Sequence, residues 1–460
     1  MEPDKELSAE ATAVLTPPDE LALPALLIPP SLRARFRKGI VWNFIASASG
    51  MGAHFAVNLM VAKMLGKDAF GRFTMVQNTL MTFSGLASLS MGLAATKYLA
   101  EFRAKDKEQA GRILGLCSLV SIVMAGVVSL VLLAASPWVA ASQLKSPDLA
   151  TALRVGTAFL FFASITGYQT GALAGLESYR ASGIANLLSG ALTLIVCAAS
   201  IRFYGISGAF IGLSGSAMLR YAIHRHFLAA ECVAAGIQFS YRHLSELQGI
   251  LFRFAIPAAM SGYFTLPMFW LANVILFQQP NGAASMALYG AAASVRVMVL
   301  FLPITINSVG VSILNHTKGT GDMRGFRRMY WNNVAAVVGT IVLFGIPIAL
   351  FGRVILSLFG KGFQDAYPVI LVVLVAAVAE GLSVSLFQMI QAHERMWFAF
   401  LGVIVPRELT LVGAAYLLAP RYGATGLALA YCIAWTLAAG IILTAGLFMQ
   451  PSEPGEPNKA

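Results

Sequence analysis

Long apolar runs separated by short polar stretches dominate the pattern of this chain. A helix needs about 20 mainly apolar residues to cross the hydrocarbon core of a bilayer. Twelve windows of about that length are present, six in each half of the chain. They lie at roughly residues 40–62, 74–96, 113–135, 155–176, 183–200, 208–228, 252–277, 287–314, 332–352, 367–391, 397–419 and 424–448. The pattern predicts an all-α polytopic membrane protein of about twelve transmembrane helices.

Polar segments at the two ends and in the middle divide these windows into two sets. Residues 2–20 carry six acids against the single Lys5, the opposite of what a signal peptide requires, so no cleavable signal is expected. The predicted organisation is a disordered cytoplasmic tail (1–30), an N-terminal lobe of six spans (31–228), a cytoplasmic linker (229–251), a C-terminal lobe of six spans (252–448) and a second cytoplasmic tail (449–460).

Three short patterns recur in the same order in both halves. Tyr204-Gly-Ile-Ser-Gly208 returns as Tyr422-Gly-Ala-Thr-Gly426, Phe70-Gly71 as Tyr289-Gly290, and Glu177 as Glu394, at offsets of 218, 219 and 217 residues. Because six spans is an even number, the two halves insert with the same orientation. They are therefore predicted to be related by a pseudo-two-fold axis along the membrane normal, with a cavity between them. The alternative is two unrelated bundles with coincident turn signals.

The composition is typical of a membrane protein, and the distribution of basic residues predicts on which side of the membrane the two termini lie. Charged residues make up only 12% of the chain, against about 25% in soluble domains. The net charge of +11 does not indicate a nucleic-acid partner, because the basic residues lie between apolar runs and form no single patch. With the N-terminus inside, 21 of the 32 basic residues fall on the inner side and nine on the outer side. This bias predicts that both termini are cytoplasmic.

Several segments resemble a known family. Leu65-Gly-Lys-Asp-Ala-Phe-Gly-Arg-Phe73, the basic loop 101–112, Gly171-Ala-Leu-Ala-Gly-Leu-Glu-Ser-Tyr179 and Leu356-Ser-Leu-Phe-Gly360 resemble Wzx-type polysaccharide flippases. These belong to the multidrug/oligosaccharidyl-lipid/polysaccharide exporter superfamily. The resemblance covers about residues 33–448 and rests on degenerate patterns of glycine and aromatic residues, which specify fold better than substrate.

The resemblance implies translocation of an undecaprenyl-diphosphate-linked oligosaccharide across the bacterial inner membrane, for O-antigen or exopolysaccharide biosynthesis. It implies alternating access between two lobes, with membrane lipid and the lipid-linked oligosaccharide as partners. Polysaccharide polymerase machinery is a further expected partner. The driving force is expected to be a proton or sodium gradient or the membrane potential, which acts on a charged cargo with roughly 2.3 kcal/mol per charge per 100 mV.

A diphosphate that crosses a low-dielectric slab favours arginines in a water-filled cavity. Arg296 lies about ten residues into the eighth window, near mid-depth. A charge at that depth costs at least roughly 2.5–3.5 kcal/mol unless it meets water or a partner. Arg296 is therefore predicted either to contact the diphosphate or to form a structural ion pair with Glu380 of the tenth window.

Arg407 and Glu408 lie together near the middle of the eleventh window, unless that window is misplaced and the pair lies nearer the interface. Neighbouring helix positions do not face each other, so the two are expected not to form one ion pair facing the cavity. Glu380 and Glu408 are the only carboxylates deep in the windows. Each is predicted either to bind a coupling ion or to be the charge partner of an arginine.

Polar side chains within the spans are candidates for sugar contacts. His54 and Asn58 are four residues apart on the first span and share a face. Asn273 of the seventh span and Gln77 of the second add amides, although such residues are commonly hydrogen-bonding glue between helices. Pro406 withdraws an amide from the carbonyl of Gly402 and predicts a kink. Since all the deep charges lie in the second half, the polar machinery is expected to be weighted towards the C-terminal lobe.

Two other functions remain to be weighed. A multidrug cation antiporter of the same superfamily would need acidic residues in its cavity, and here two arginines accompany the two acids. A membrane glycosyltransferase or polymerase would need a large extramembrane segment with a catalytic constellation, and the longest loop, roughly 229–251, carries none. No nucleotide-binding, metal-ligand or nucleophile pattern is present in the sequence. The chain is therefore predicted not to be an enzyme and to use no cofactor and no metal.

Overall fold

The computed structural model describes residues 30–319, 323–392 and 395–448, and the two predicted tails lie outside this part apart from residue 30. The segment up to Val41 is a separate unit, and the fold below is that of the unit from Trp42 onward. The described residues form helices and no strand. The helices are α1 (Pro30–Leu65), α2 (Lys67–Ser88), α3 (Met91–Phe102), α4 (Lys107–Trp138), α5 (Ala150–Gly175), α6 (Tyr179–Ala235), α7 (Ile256–Phe277), α8 (Gly282–Gly319), α9 (Met323–Ser357), α10 (Tyr367–Ala392) and α11 (Val405–Phe448).

The long helices α6 and α11 each contain two membrane spans. Within the described ranges, ten helical segments are long and apolar enough to cross a membrane. α6 has 57 residues, which would extend about 85 Å if straight, almost three times the hydrocarbon core of about 30 Å. Its helical path is broken at Gly205, and that of α11 is broken at Gly423. Counting two spans for each gives twelve, which confirms the predicted all-α fold.

The internal repeat is visible in the backbone of the two breaks. Gly205 has φ 57° and ψ −132°, and Gly423 has φ 54° and ψ −129°. Three residues later the chain folds back on itself in both halves. A Cβ atom on Gly208 would lie 1.9 Å from the carbonyl oxygen of Ser200, and one on Gly426 would lie 2.2 Å from that of Leu418. The two-lobe fold with pseudo-two-fold symmetry is confirmed, while Glu394 of the third pattern lies outside the described residues.

The two lobes meet through α2, which packs against α7 and α8. Gly71 of α2 permits the closest approach, since a Cβ atom there would lie 1.8 Å from the carbonyl oxygen of Ala283 at the start of α8. Phe70 packs its ring beside those of Phe359 and Phe363, with centroids 6.0 and 5.7 Å away. This aromatic contact joins the lobes at one end of the bundle. We call that end the Leu65 end, because α1 ends there at Leu65.

The segment that joins the lobes is packed along α4. A Cβ atom on Gly111 would lie 1.9 Å from the carbonyl oxygen of Gln238, and one on Gly115 would lie 2.1 Å from that of Ser240. The amide of Ser240 donates to the carbonyl of Gly111 at 3.1 Å. Ile237 is buried in the same cluster. The glycine pair of α4 thus lets the connecting backbone lie directly against the helix.

Irregular backbone occurs within the second and the eleventh of the predicted spans. The second span is divided into α2 and α3 because Leu89 and Ser90 have positive φ values of 44° and 53°. The predicted disturbance at Gly402 takes the form of a π-helical segment, Ala399–Ile404, immediately before α11. A π-helical segment fits this position because Pro406 has no amide hydrogen to bond the carbonyl of Gly402.

Candidate substrate cavity

A polar cavity of about 340 Å³ lies within the N-terminal lobe, between α1, α2, α5 and α6. Its volume falls at the lower end of the range of small-ligand sites. Its wall carries one charged side chain, that of Arg220, together with amides, hydroxyls and a histidine, and with about as many apolar residues and glycines. The polar lining residues include His54, Gln77, Thr166, Thr170, Asn186, Ser189, Thr193, Ser216 and Arg220.

Arg220 is an accessible cation on the cavity wall. It lies in the second half of α6, and its Nη2 donates to the side-chain oxygen of Asn186 on the first half at 3.0 Å. Asn186 is held in turn, because its own amide donates to the carbonyl of Ser182 at 2.9 Å. Within the part of the chain that the structure describes, Arg220 forms no ion pair. The guanidinium is positioned by an amide and keeps its full charge.

The C-terminal lobe holds a second arginine, Arg296 of α8, in a different setting. Its Nη1 lies 2.5 Å from Oε2 of Glu380 on α10 and 2.5 Å from the hydroxyl of Tyr431 on α11. Its Cζ also lies 4.5 Å from the centroid of the Tyr431 ring. The side chains of Arg296 and Glu380 are only 12% and 15% exposed. The structure thus contains the ion pair that the sequence offered as one of two alternatives.

Arg407 and Glu408 form an ion pair with each other, contrary to the prediction from helix geometry. The Arg407 guanidinium donates to Oε1 of Glu408 through both Nε, at 2.9 Å, and Nη2. Its Nη2 also donates to the hydroxyl of Thr265 on α7 at 3.3 Å, and its Cζ lies 4.2 Å from the Trp435 ring centroid. The prediction failed because an arginine side chain is long enough to curve around the helix to its neighbour. Both predicted carboxylates therefore have arginine partners.

The remaining predicted site residues lie at or beside the lobe interface. The amide nitrogen of Asn58 lies 3.3 Å from Nε2 of His54, as expected for a shared helix face, and donates to Ser294 of α8 at 3.1 Å. His54 also lines the cavity. Asn273 is fully buried, its side-chain oxygen lies 3.5 Å from Nδ2 of Asn78, and its own amide donates to the carbonyl of Phe269. The structure brings His54 and Asn58 together and places Asn273 apart from the cavity wall.

A model of a protein family described as "Polysaccharide biosynthesis protein" matches residues 36–311. The match covers all of the cavity-lining segments and extends into the C-terminal lobe. The chain belongs to this family.

Two polysaccharide export proteins resemble this member of the polysaccharide biosynthesis family along most of its length. The EPS I polysaccharide export inner membrane protein EpsE of Ralstonia nicotianae is 25% identical over 416 residues, covering 88% of this chain and 92% of the relative. Its counterpart in Ralstonia solanacearum is 23% identical over 421 residues with the same coverage. The chain therefore spans nearly the full length of both proteins.

Solved structures of transporters show the same fold as this chain. An inward-facing multidrug resistance MATE family transporter of the MOP superfamily matches with a TM-score of 0.76 and 16% identity, covering 87% of this chain and 94% of that chain. A MOP superfamily transporter from Pyrococcus furiosus matches with a TM-score of 0.68 and 19% identity, covering 90% and 95%. That second transporter is described as having a binding pocket of reversed polarity, which suggests a different function for it.

Sequence reasoning missed Arg220 as a site residue. Arg220 was counted among the basic residues of the inner side. The polar machinery was expected in the C-terminal lobe because all the charges judged to lie deep in the spans fall in the second half of the chain. In the structure, an accessible arginine and a polar cavity lie in the N-terminal lobe instead. One signal was available: position 220 falls within the apolar window 208–228, eight residues from its end. A basic residue at that place requires water or a partner.

Proposed function

We propose that the protein translocates an anionic, lipid-linked oligosaccharide across the inner membrane for the export of a surface polysaccharide. Membership of the polysaccharide biosynthesis family supports a saccharide cargo. The EpsE relatives are named as export proteins of the inner membrane, which supports a transport function. The two-lobe transporter fold supports alternating access. The cargo is an undecaprenyl-diphosphate-linked sugar chain that serves O-antigen or exopolysaccharide synthesis.

One observation carries the proposal of an anionic cargo: Arg220 lines a polar cavity and forms no ion pair with any of the described residues. A guanidinium in such a place costs free energy unless it is hydrated or meets an anion. Guanidinium groups bind phosphate through paired hydrogen bonds. Arg296 and Arg407 are already neutralised by Glu380 and Glu408. A cargo phosphate would have to displace a carboxylate there, so we assign the anion contact to Arg220 and a supporting role to the two ion pairs.

A drug antiporter for cationic substrates is the competing function, and the fold of the MATE family structures fits it. Such a transporter would need a carboxylate free to meet a cation in its cavity. The cavity wall of this chain holds no carboxylate in the described residues, and the two deep carboxylates, Glu380 and Glu408, both have arginine partners. The charge of the cavity favours the oligosaccharide.

We further propose that both termini lie in the cytoplasm and that the cargo enters from that side. An interior-negative membrane potential would then drive a diphosphate outward, with roughly 2.3 kcal/mol per charge per 100 mV. A proton or sodium ion would not be needed for net movement under this arrangement. His54 and Asn58 would contact or frame the sugar chain at the lobe interface, while the buried Asn273 would support that interface from within.

A deletion strain tests this function directly. Loss of the gene should abolish the surface polysaccharide while the lipid-linked repeat accumulates in the cytoplasmic leaflet. Complementation with Arg220→Gln should fail to restore export, whereas Arg225→Gln should restore it. Arg225 is the matched control, since it lies on the same helix and donates to Tyr221 at 3.2 Å outside the cavity. Loss of polymer without accumulation would point to synthesis instead, and unchanged polysaccharide with strong dye efflux would favour the drug antiporter.

A further inference from the structure

The cavity wall contains a set of hydroxyl groups with one property in common. Each donates its hydrogen to the carbonyl oxygen four residues earlier in its own helix. The oxygen–oxygen distances are 2.6 to 3.0 Å for Thr166, Thr170, Thr193 and Ser216. The five residues are Thr166, Thr170, Ser189, Thr193 and Ser216. A hydroxyl whose hydrogen is engaged in this way still has acceptor capacity on its oxygen. The hydroxyl set therefore presents acceptors to the cavity.

The two polar parts of the cavity are complementary to different chemical groups. Arg220 has donors and no acceptor, which suits a phosphate oxygen. The hydroxyl set offers acceptors, which suit a donor and repel a phosphate. The hydroxyls of a sugar are donors as well as acceptors, so a sugar unit can bond to the set. A ligand that joins a phosphate to a sugar therefore matches both kinds of group on the wall.

Gln77 adds a hydrogen-bond donor to a wall on which the hydroxyl set offers acceptors. It lines the cavity from α2 and is only 5% exposed. Its Nε2 has no hydrogen-bond partner among the described residues. An unpaired buried amide nitrogen destabilises the empty cavity, because it has lost its hydrogen bonds to water and gained none in exchange. A sugar hydroxyl or ring oxygen that accepts from Nε2 would remove this cost, which gives Gln77 a preference among sugars with an acceptor at the right position.

We infer that the N-terminal lobe cavity is a subsite for the sugar unit next to the phosphate, read by Gln77, with Arg220 holding the phosphate itself. The inference rests on the proposed function for the identity of the cargo and goes beyond it in assigning a specificity residue. The ligand chemistry is a pyranose carrying a phosphate on its anomeric carbon. Both lipid-linked sugars and soluble sugar phosphates share that chemistry.

The test uses the full chain purified in detergent, with hexose 1-phosphates and inorganic phosphate as probes in calorimetric titrations. The unsubstituted protein should bind at least one hexose 1-phosphate several-fold more tightly than inorganic phosphate. Arg220→Gln should weaken both probes by at least about tenfold, as expected for hydrogen bonds to a charged group. Gln77→Leu should weaken the preferred hexose 1-phosphate by about fivefold, the value of one neutral hydrogen bond, and leave inorganic phosphate unchanged.

Two further variants keep the result interpretable. Gln169→Leu is the matched control, because Gln169 is a fully buried amide of the same lobe whose Nε2 has no hydrogen-bond partner among the described residues, and it is not one of the residues that line the cavity. It should leave both affinities unchanged. Gln77→Met removes the donor without adding a charge and keeps a side chain of similar length, so it should lose the hexose 1-phosphate as Gln77→Leu does. This second variant decides the matter if the leucine variant does not fold.

The outcomes separate the subsite from the proposed function. Equal affinity of the Gln77 variants and the unsubstituted protein for hexose 1-phosphates would overturn the subsite, as would an equal loss of both probes. If that happens while the unsubstituted chain restores polysaccharide export in the deletion strain, the proposed function stands without the subsite. Export that the unsubstituted chain does not restore would remove the proposed function. Competition of the preferred hexose 1-phosphate with the lipid-linked sugar diphosphate would assign the subsite to the lipid-linked source, and absence of competition would overturn that assignment.

Discussion

Gly205 and Gly423, 218 residues apart, adopt the same backbone conformation, with φ/ψ values of 57°/−132° and 54°/−129°. Each connects two spans in its own half of the chain. At positive φ with this ψ, only glycine is free of strain. The repeat of the two halves is therefore encoded in a backbone requirement, and the neighbouring tyrosines at 204 and 422 mark it in the sequence.

Alanine at either break should destabilise the fold. Gly205→Ala and Gly423→Ala are each expected to cost about 1–3 kcal/mol, the usual cost of a side chain in a disfavoured backbone region. Thermal unfolding in detergent should show similar decreases for the two variants. Gly339→Ala is the control, since Gly339 lies within α9 and a Cβ atom there would have no neighbouring atom within 4 Å. Equal unfolding temperatures for all three variants would contradict the assigned role of the breaks.

The two spans on either side of each break show what could be predicted from sequence. The apolar windows separated the two spans of each long helix, although the helix is interrupted there at a single glycine. They did so because the length of a span is set by the thickness of the bilayer. The patterns Tyr204–Gly208 and Tyr422–Gly426 located the breaks, since glycine at positive φ leaves a mark in the sequence. The fold and its internal symmetry could therefore be predicted from the sequence.

The candidate site was accessible only in part, because partners across helices depend on side-chain paths. Arg296 and Glu380 were named as a possible pair, yet the distance between α8 and α10 has no signature in the sequence. Arg407 and Glu408 were judged by Cβ directions, while their contact depends on the curvature of a long side chain. Arg220 was counted as an interfacial charge, since the sequence does not show which face of α6 borders a cavity.

The Arg296–Glu380 pair should matter for stability. Glu380→Gln removes the partner of a buried cation and is expected to cost about 3–5 kcal/mol. The double variant Arg296→Gln with Glu380→Gln should recover part of this loss, because no unpaired charge remains. The exposed pair of Lys67 and Asp365, 3.3 Å apart, is the comparison: Asp365→Asn should cost about 1 kcal/mol or less. Midpoints of thermal unfolding decide, and a double variant no better than Glu380→Gln would contradict the account.

Contact of the lobes at the Leu65 end should depend on Gly71. Gly71→Val places a side chain where a Cβ atom would lie 1.8 Å from the carbonyl oxygen of Ala283, so α2 and α8 must separate. Cross-linking by a short bifunctional thiol reagent between cysteines introduced at Lys67 and Asp365, whose charged groups lie 3.3 Å apart, reports on this contact. Gly71→Val should cross-link several-fold more slowly than the parent. Gly52→Val should cross-link like the parent, because a Cβ atom at Gly52 would have no neighbouring atom within 4 Å. Undiminished cross-linking in Gly71→Val would show that the approach is not needed.

Packing of the connecting segment against α4 should depend on Gly115. A valine there collides with the carbonyl oxygen of Ser240 and should release the segment. Trypsin should then cleave faster after the exposed Arg242. Gly126→Val on the same helix is the control, because a Cβ atom there meets only the Phe161 ring at 4.0 Å. Cleavage rates unchanged by Gly115→Val would mean that the segment is held by other contacts.

Transfer of a lipid-linked sugar diphosphate between leaflets, measured in proteoliposomes of the purified chain, tests the central role of Arg220. The labelled lipid starts in one leaflet, and a membrane-impermeant reagent in the opposite compartment detects its arrival. The unsubstituted chain and Arg225→Gln should transfer the lipid at similar rates, while Arg220→Gln should retain less than about a tenth of the rate, as expected from the loss of charge-assisted hydrogen bonds. Transfer by Arg220→Gln at the unsubstituted rate, or no transfer by the unsubstituted chain, would contradict the account.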